Sequence, residues 1–206
     1  MRPMSTPPLS VPEAIERRRS VRKYTDAPVS DADLRRIVEL AGKAPSAWNI
    51  QPWRVIAVRD AEVKAKLQQA AYGQAQVGNA PVLIVLYSDM QGALATLEDT
   101  VHPGMSTDQA AGLLARVRGT FGAQSDAARE SWGNGQSYIA FGFMLLAAQS
   151  LGYSTSPMLG FDAAAVKAIL GIPEHAVVPG LIALGVGAED GSPHHRHPVD
   201  AILKIV

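Results

Sequence analysis

Cysteine is absent from all 206 residues. That removes disulfides, thiolate nucleophiles and cysteine-ligated metals, and it suits a reducing compartment, so a cytoplasmic location is expected. Net charge is absent too. Nineteen basic residues balance nineteen acidic ones, which leaves no global field to draw in nucleic acid or an anionic membrane, and neither is expected as a partner. Met1 to Pro8 lacks the apolar stretch of a signal peptide. The longest apolar block, around Tyr138 to Ala148, is too short to cross a bilayer. Neither G-x-G-x-x-G nor G-x-x-x-x-G-K-[ST] occurs, so neither a Rossmann dinucleotide site nor a P-loop is expected. No Ser-His-Asp or paired-carboxylate arrangement has supporting context. The length fits a single domain, 1–206, with a sizeable core.

What is present is uneven. Arg17-Arg18-Arg19-Ser20-Val21-Arg22-Lys23-Tyr24 packs five cations and a hydroxyl into eight residues. Upstream, Ser10 with Glu13 three residues on reads as a capping box, and Pro12 is tolerated in the first turn. The resulting helix would deliver the arginines at its C-terminal end, where the dipole favours cations. Strand alternation beyond it would put Ser20 and Arg22 on one face. A solvated helix end is the plain reading of such a run; an arginine fork beside a hydroxyl is also what a phosphate needs. A second uncharged stretch, Ala44 to Trp53, holds two prolines, two tryptophans, Ser, Asn and Gln. It reads as a rigid loop offering amides and a hydroxyl to a flat heterocycle.

The ordered pair, R-x-S-x-R-x-Y at Arg18 to Tyr24 and P-S-x-x-N-x-Q-P-W at Pro45 to Trp53, resembles the FMN-dependent nitroreductase family. The resemblance spans nearly the whole chain and is weakest from Ser88 to Gly135. It implies an α+β fold with a central, mainly antiparallel sheet flanked by helices, assembled as an interleaved homodimer. Residues 88–135 would form a variable cover over cofactor and substrate. Residues 194–206 would extend onto the partner, the final run Ala201 to Val206 adding a strand to its sheet.

The intervening pattern is legible in places. Ser30 with Asp33 starts a helix carrying Leu34, Ile37, Val38 and Ala41 on one face, and Gly42 ends it. Arg54 to Val58 and Val82 to Tyr87 read as strands, with a helix between them over Ala61 to Tyr72. Met90 to Leu97 and Ala110 to Val117 are weaker helical patterns. From Gln136 to Ala148 a helix is apolar nearly all round, which suits a core or a subunit interface. Asp162 caps a helix over Ala163 to Leu170, and Val177 to Val186 contains the last core strand.

Carried over position by position, the resemblance places Arg18, Arg19 and Ser20 at the FMN phosphate and ribityl end. Arg22 would lie at the flavin N1/C2 edge. Pro45, Ser46, Ala47 and Asn49 would come from the other subunit. Gln74 or Gln76 would meet the pyrimidine edge, the register between them being open. Pro157, Met158, Leu159 and Gly160 would lie by the ring, with the Gly160 amide near N5. Arg196 would be the late phosphate-binding arginine, with His194 two residues before it. Some members have Glu at the Leu159 position and others Lys at the His194 position, and a histidine there makes phosphate binding more pH-dependent. His194, His195 and His197 also admit a metal site, but no carboxylate or cysteine pattern accompanies them and none is assigned. The expected function is hydride transfer from NAD(P)H through bound FMN to nitroaromatic, quinone or similar electron-poor acceptors by a ping-pong mechanism. The alternatives are a specialised relative with one physiological substrate, or an FMN-binding protein without turnover.

Overall fold

The computed structural model describes residues 8–206. Short polar side chains at the caps set most helix starts. Ser10 opens α1 (Val11–Arg17) with the expected capping box: its hydroxyl accepts from the Glu13 amide, and the Glu13 carboxylate accepts from the Ser10 amide at 2.9 Å. Ser30 caps α2 (Asp31–Ala41). β1 (Trp53–Val58) follows, then α3 (Ala61–Ala70), α4 (Ala75–Asn79), β2 (Val82–Ser88) and α5 (Met90–Ala95). Ser106 and Gln109 form a second capping box on α6 (Thr107–Gly122). α7 (Asp126–Ser150), β3 (Ser154–Met158), α8 (Ala163–Leu170) and β4 (Val177–Gly185) complete the set. α8 is capped by Asp162 and ends at Gly171, whose φ of 66° is the left-handed region glycine favours.

Three elements differ from the sequence reading. α4 stands where the sequence offers only a small polar segment. β3, Ser-Thr-Ser-Pro-Met, is too polar and too proline-marked to look like a strand; it survives because it lies at the sheet edge, where proline is tolerated. α7 begins at Asp126 rather than near Gln136. Its first half carries Gly133 and Gly135, which weaken a helical pattern. Gly133 is required by packing: a Cβ there would come within 2.5 Å of both Met90 Cγ and Ser88 Oγ.

The four strands form one antiparallel sheet in the order β1-β2-β4-β3. β2 is buried on both faces. Leu83 and Val85 face a core with Leu67 of α3, Val77 of α4 and Val166 of α8, while Val82, Ile84 and Leu86 face Ile37 of α2 with Phe141 and Met144 of α7. Each such side chain contributes about 1.5–3 kcal/mol on leaving water. A third core holds Ile50, Met90, Leu97, Val117 and Phe121, so α5, α6 and the start of α7 close over the loop that precedes β1.

α7 is not apolar into the core all round. Tyr138, Ile139 and Phe143 remain 38–42 % exposed in the single chain, beside the exposed Val11 and Ile15 of α1. The run Ala201 to Val206 forms no strand and is exposed. No helix of the described residues is long and apolar enough to cross a membrane.

Gly133→Val should lower stability by about 1–3 kcal/mol through overpacking against Met90 and Ser88. In urea unfolding this appears as a lower midpoint with the same denaturant slope. An unchanged midpoint would mean that the close approach of α7 to the end of β2 is not structural.

Candidate functional site

The basic segment leaves α1 at Arg18 in an extended conformation and lies along the outer side of β3. The Val21 amide donates to Thr155 O at 3.0 Å, and Ser20 bridges Thr155 in a parallel sense. Tyr24 pins the segment inward, its hydroxyl donating to Val21 O and Ala183 O at 2.7 and 3.1 Å. Burial pushes the Tyr24 pKa up, so it stays a neutral donor.

Anchored this way, the arginines crowd. Arg18 Nη1 is buried with no hydrogen-bond partner. Its pKa is lowered by burial first, and then by the like charges of Arg196 and Arg19. Arg19 Nη1 lies 3.4 and 3.3 Å from the two ring nitrogens of His194. The structure therefore gathers Arg18, Arg19, His194 and Arg196, which the sequence separates by about 175 positions. Arg22 is exposed, its amide held by Glu189 at 3.0 Å. Cations gathered around an unpartnered donor form an anion site of the kind that suits a phosphate.

β3 ends with Pro157 and Met158, and Leu159 and Gly160 follow it. Gln74 Nε2 donates to Gly160 O at 2.7 Å, while Gln76 Nε2 contacts Gln74 Oε1 at 3.1 Å and Met158 Sδ at 3.3 Å. Gln76 is buried and braces Gln74, which is the partly exposed amide of the two and also donates to Ala71 O at 3.2 Å. Leu159 is 67 % exposed and apolar, with no carboxylate at that position.

Pro45, Ser46, Ala47 and Asn49 lie elsewhere, on the loop entering β1. Trp48, Asn49 and Gln51 all have positive φ, 52°, 57° and 49°. Such a conformation costs on the order of 1–3 kcal/mol per residue, least for asparagine, and persists only where neighbours over-determine it. Here they do. The Ala47 amide donates to Gln136 Oε1 at 3.0 Å, Asn49 Nδ2 to Thr100 O at 3.1 Å, and the Gln51 amide to Ser46 Oγ at 3.0 Å. The Trp48 ring sits 5.9 Å from Phe121 and 6.1 Å from Trp132.

β1 and β3 are opposite edges of the sheet. Three inter-strand steps of about 4.8 Å put the two groups of residues on the order of 14 Å apart at the sheet alone. The loop's hydrogen bonds run to α7 and the Thr100 turn, not toward the arginines.

The sequence reading missed the loop's supports, Phe121, Trp132 and Gln136, and an acid–histidine network of which only Glu130 is fully buried. Glu130 accepts from Ser88 Oγ at 2.9 Å and the Met90 amide at 2.7 Å, and His175 Nε2 meets Asp89 Oδ1 at 3.0 Å. One donor atom from each of Asp89, Glu130 and His175 lies within 4.8 Å of the others. Burial raises the Glu130 pKa against those two bonds. Burial would raise Asp89 as well, but its bonds to His175 and the Gly92 amide hold it below the usual range. The Asp89 amide donates to Pro52 O at 2.8 Å, which ties this network to the loop. Only Ser88 to Met90 are contiguous, so no spacing in the sequence reveals it.

Known proteins and solved structures resemble this chain over nearly its whole length. Residues 15–186 match the family model described as the nitroreductase family. A protein of Thermus thermophilus named NADH dehydrogenase is 46 % identical over 96 % of both chains. A Bacillus subtilis protein named FMN reductase [NAD(P)H] is 30 % identical over 89 % of this chain and 68 % of its own length. A nitroreductase from Exiguobacterium sibiricum, solved in complex with FMN, superposes with a TM-score of 0.88 at 26 % identity over 98 % of this chain and 99 % of that one.

The unpartnered guanidinium of Arg18 gives a test that needs no assay of turnover. Arg18→Leu should leave the unliganded protein as stable as before, or more stable by on the order of 1 kcal/mol, because a buried unsatisfied donor is removed. Added inorganic phosphate should raise the melting temperature of the native protein and not of the variant. A clear loss of stability without phosphate would show that Arg18 is a structural residue.

Proposed function

The chain belongs to the nitroreductase family, and on that footing we propose that it is an FMN-dependent NAD(P)H oxidoreductase acting on nitroaromatic, quinone or similar electron-poor acceptors. The observation that carries the reading is the unpartnered, buried Arg18 Nη1 among Arg19, His194 and Arg196. The named relatives support it from outside.

FMN would supply the redox chemistry, taking a hydride from NAD(P)H and passing reducing equivalents to the acceptor. This chain's residues bind and orient it. Arg18, Arg19, His194 and Arg196 hold the phosphate, and Ser20 offers a hydroxyl to the ribityl chain. Arg22 sets a fixed positive charge at the N1/C2 edge, favouring the negative charge that develops there on reduction. The Gln74 side chain meets the pyrimidine edge. Leu159 and Gly160 would lie by the ring, and donor and acceptor would use it in turn by ping-pong kinetics.

The remaining contacts, from Pro45 to Asn49, come from a second copy. Placement of that loop on the far edge of the sheet supports this, as do the exposed apolar residues of α1 and α7 and the exposed tail from Ile202 to Val206. The homodimer encloses two sites, each built from two chains. A cytoplasmic location fits the lack of cysteine.

The purified protein should be yellow and release about one FMN per chain, since each chain carries one set of both motifs. It should oxidise NAD(P)H with menadione or nitrofurazone as acceptor; bound FMN without turnover would leave a storage or sensing protein instead. Two substitutions separate the ends of the cofactor. Arg22→Ala should keep much of its FMN but be reduced about a hundredfold more slowly in stopped flow, the usual cost of losing one charge-stabilising contact. Arg196→Ala should weaken FMN binding and leave the rate at saturating FMN nearly unchanged. An Arg22→Ala protein that loses FMN but reduces it at the native rate would move Arg22 to the phosphate end.

A further inference from the structure

His194 is an unusual member of the phosphate cluster. Arg19 Nη1 lies 3.3–3.4 Å from its ring nitrogens and also donates to Arg18 O at 3.0 Å. That Nη1 also donates to Glu16 O at 2.5 Å, so the ring lies against a permanent positive charge whose hydrogens are already engaged, which disfavours a second proton on the ring. The charged groups around the ring are Arg18 and Arg19 from the segment after α1, and Arg196 from its own segment. The adjoining cleft, about 370 Å³, is lined by Arg17, Arg19, Asp190, Gly191 and Pro193. Two nearby carboxylates are engaged elsewhere, Glu13 with Arg17 and Glu189 with the Arg22 amide and Lys23, while Asp190 faces the cleft itself.

Resting on the FMN reading above, we propose that His194 takes up a proton when the FMN phosphate enters the Arg18–Arg19–Arg196 cluster, so that flavin binding is coupled to protonation near neutral pH. Before binding, the His194 pKa lies below its ordinary value. Partial loss of water around the ring is the first cause and Arg19 the second, with Arg196 and Arg18 adding to them against one backbone hydrogen bond at Arg18. A phosphate dianion reverses the sign of the local field and gives the ring an acceptor to donate to, raising the pKa in the complex.

The direction follows from linkage. The complex holds a proton that the free protein lacks, so affinity is greatest at low pH and falls as pH rises through the pKa of the bound state, by at most about tenfold per unit. The phosphate's own second ionisation, near pH 6, acts oppositely, because losing that proton creates the dianion the arginines prefer. Above pH 7 FMN is already mostly dianionic, and the histidine contribution stands alone.

The test is a calorimetric titration of the apoprotein with FMN between pH 7 and 8, in buffers of different ionisation heat, with riboflavin as the phosphate-free control. Native protein should take up a fraction of a proton approaching one, and its FMN affinity should fall several-fold across that unit. Riboflavin should show neither effect. His194→Lys carries its charge throughout, so it should bind FMN with no proton uptake and a flat pH dependence; His194→Gln should be flat and weaker at pH 7. Inorganic phosphate should compete with FMN in native protein and induce the same uptake. If native protein binds FMN with no proton exchange, or if His194→Lys still takes up the proton, the coupling is overturned and the FMN reading stands. If FMN does not bind at all, that reading falls and the coupling with it.

Discussion

The strand order β1-β2-β4-β3 is the constraint from which the rest follows. It buries all of β2 but Tyr87 and all of β4 but Val177, and leaves the two outer strands as mounts for polar segments. The basic segment lies along β3 through the Thr155 contacts, and the Pro45–Trp53 loop enters β1. One edge then carries cations and amides, the other a stiff turn with polar backbone. The buried centre is hydrophobic and rigid, and it holds these parts at a distance that no side chain spans.

Both edges carry a cost in the single chain. On one side Arg18 Nη1 is buried without a partner among like charges. On the other, three non-glycine residues sit at positive φ. Interactions that have nothing to do with those edges stabilise them. Tyr24 ties the first to β4, and Trp132, Gln136 and the Glu130–Asp89–His175 network hold the second. Electrostatic and conformational strain of this kind is expected where a ligand supplies the missing partner. It also explains why α5, α6 and the start of α7 are more than a cover: they form the third core, and that core contains Ile50 and Trp48 of the loop.

How much of this was legible in the sequence depends on the range of the interactions involved. Caps at Ser10, Ser30 and Asp162 act over three residues and read directly. β2 reads directly as well, because burial on both faces demands an unbroken apolar run. The two motif stretches were visible since each is contiguous, and their resemblance to a family supplied the roles that spacing alone could not. β3 was hidden because its stability comes from β4 and not from its own composition. The first half of α7 was hidden because Gly133 answers to Ser88 and Met90, more than forty positions upstream. The acid–histidine network and the pairing of Gln76 with Gln74 and Met158 are tertiary in the same sense.

The central claim is that a working site needs one edge from each of two chains, and subunit complementation tests it directly. Arg18→Leu disables the β3 edge, and Ala47→Glu disables the loop edge by placing a bulky carboxylate where the loop would meet the cofactor. Neither variant alone should retain FMN. Differently tagged copies, unfolded together, refolded and separated as mixed dimers, should recover about one FMN per dimer, because one of the two sites then receives both native edges. Mixed dimers that stay as empty as either parent, although native protein treated in the same way regains FMN, would show that each chain builds its site alone.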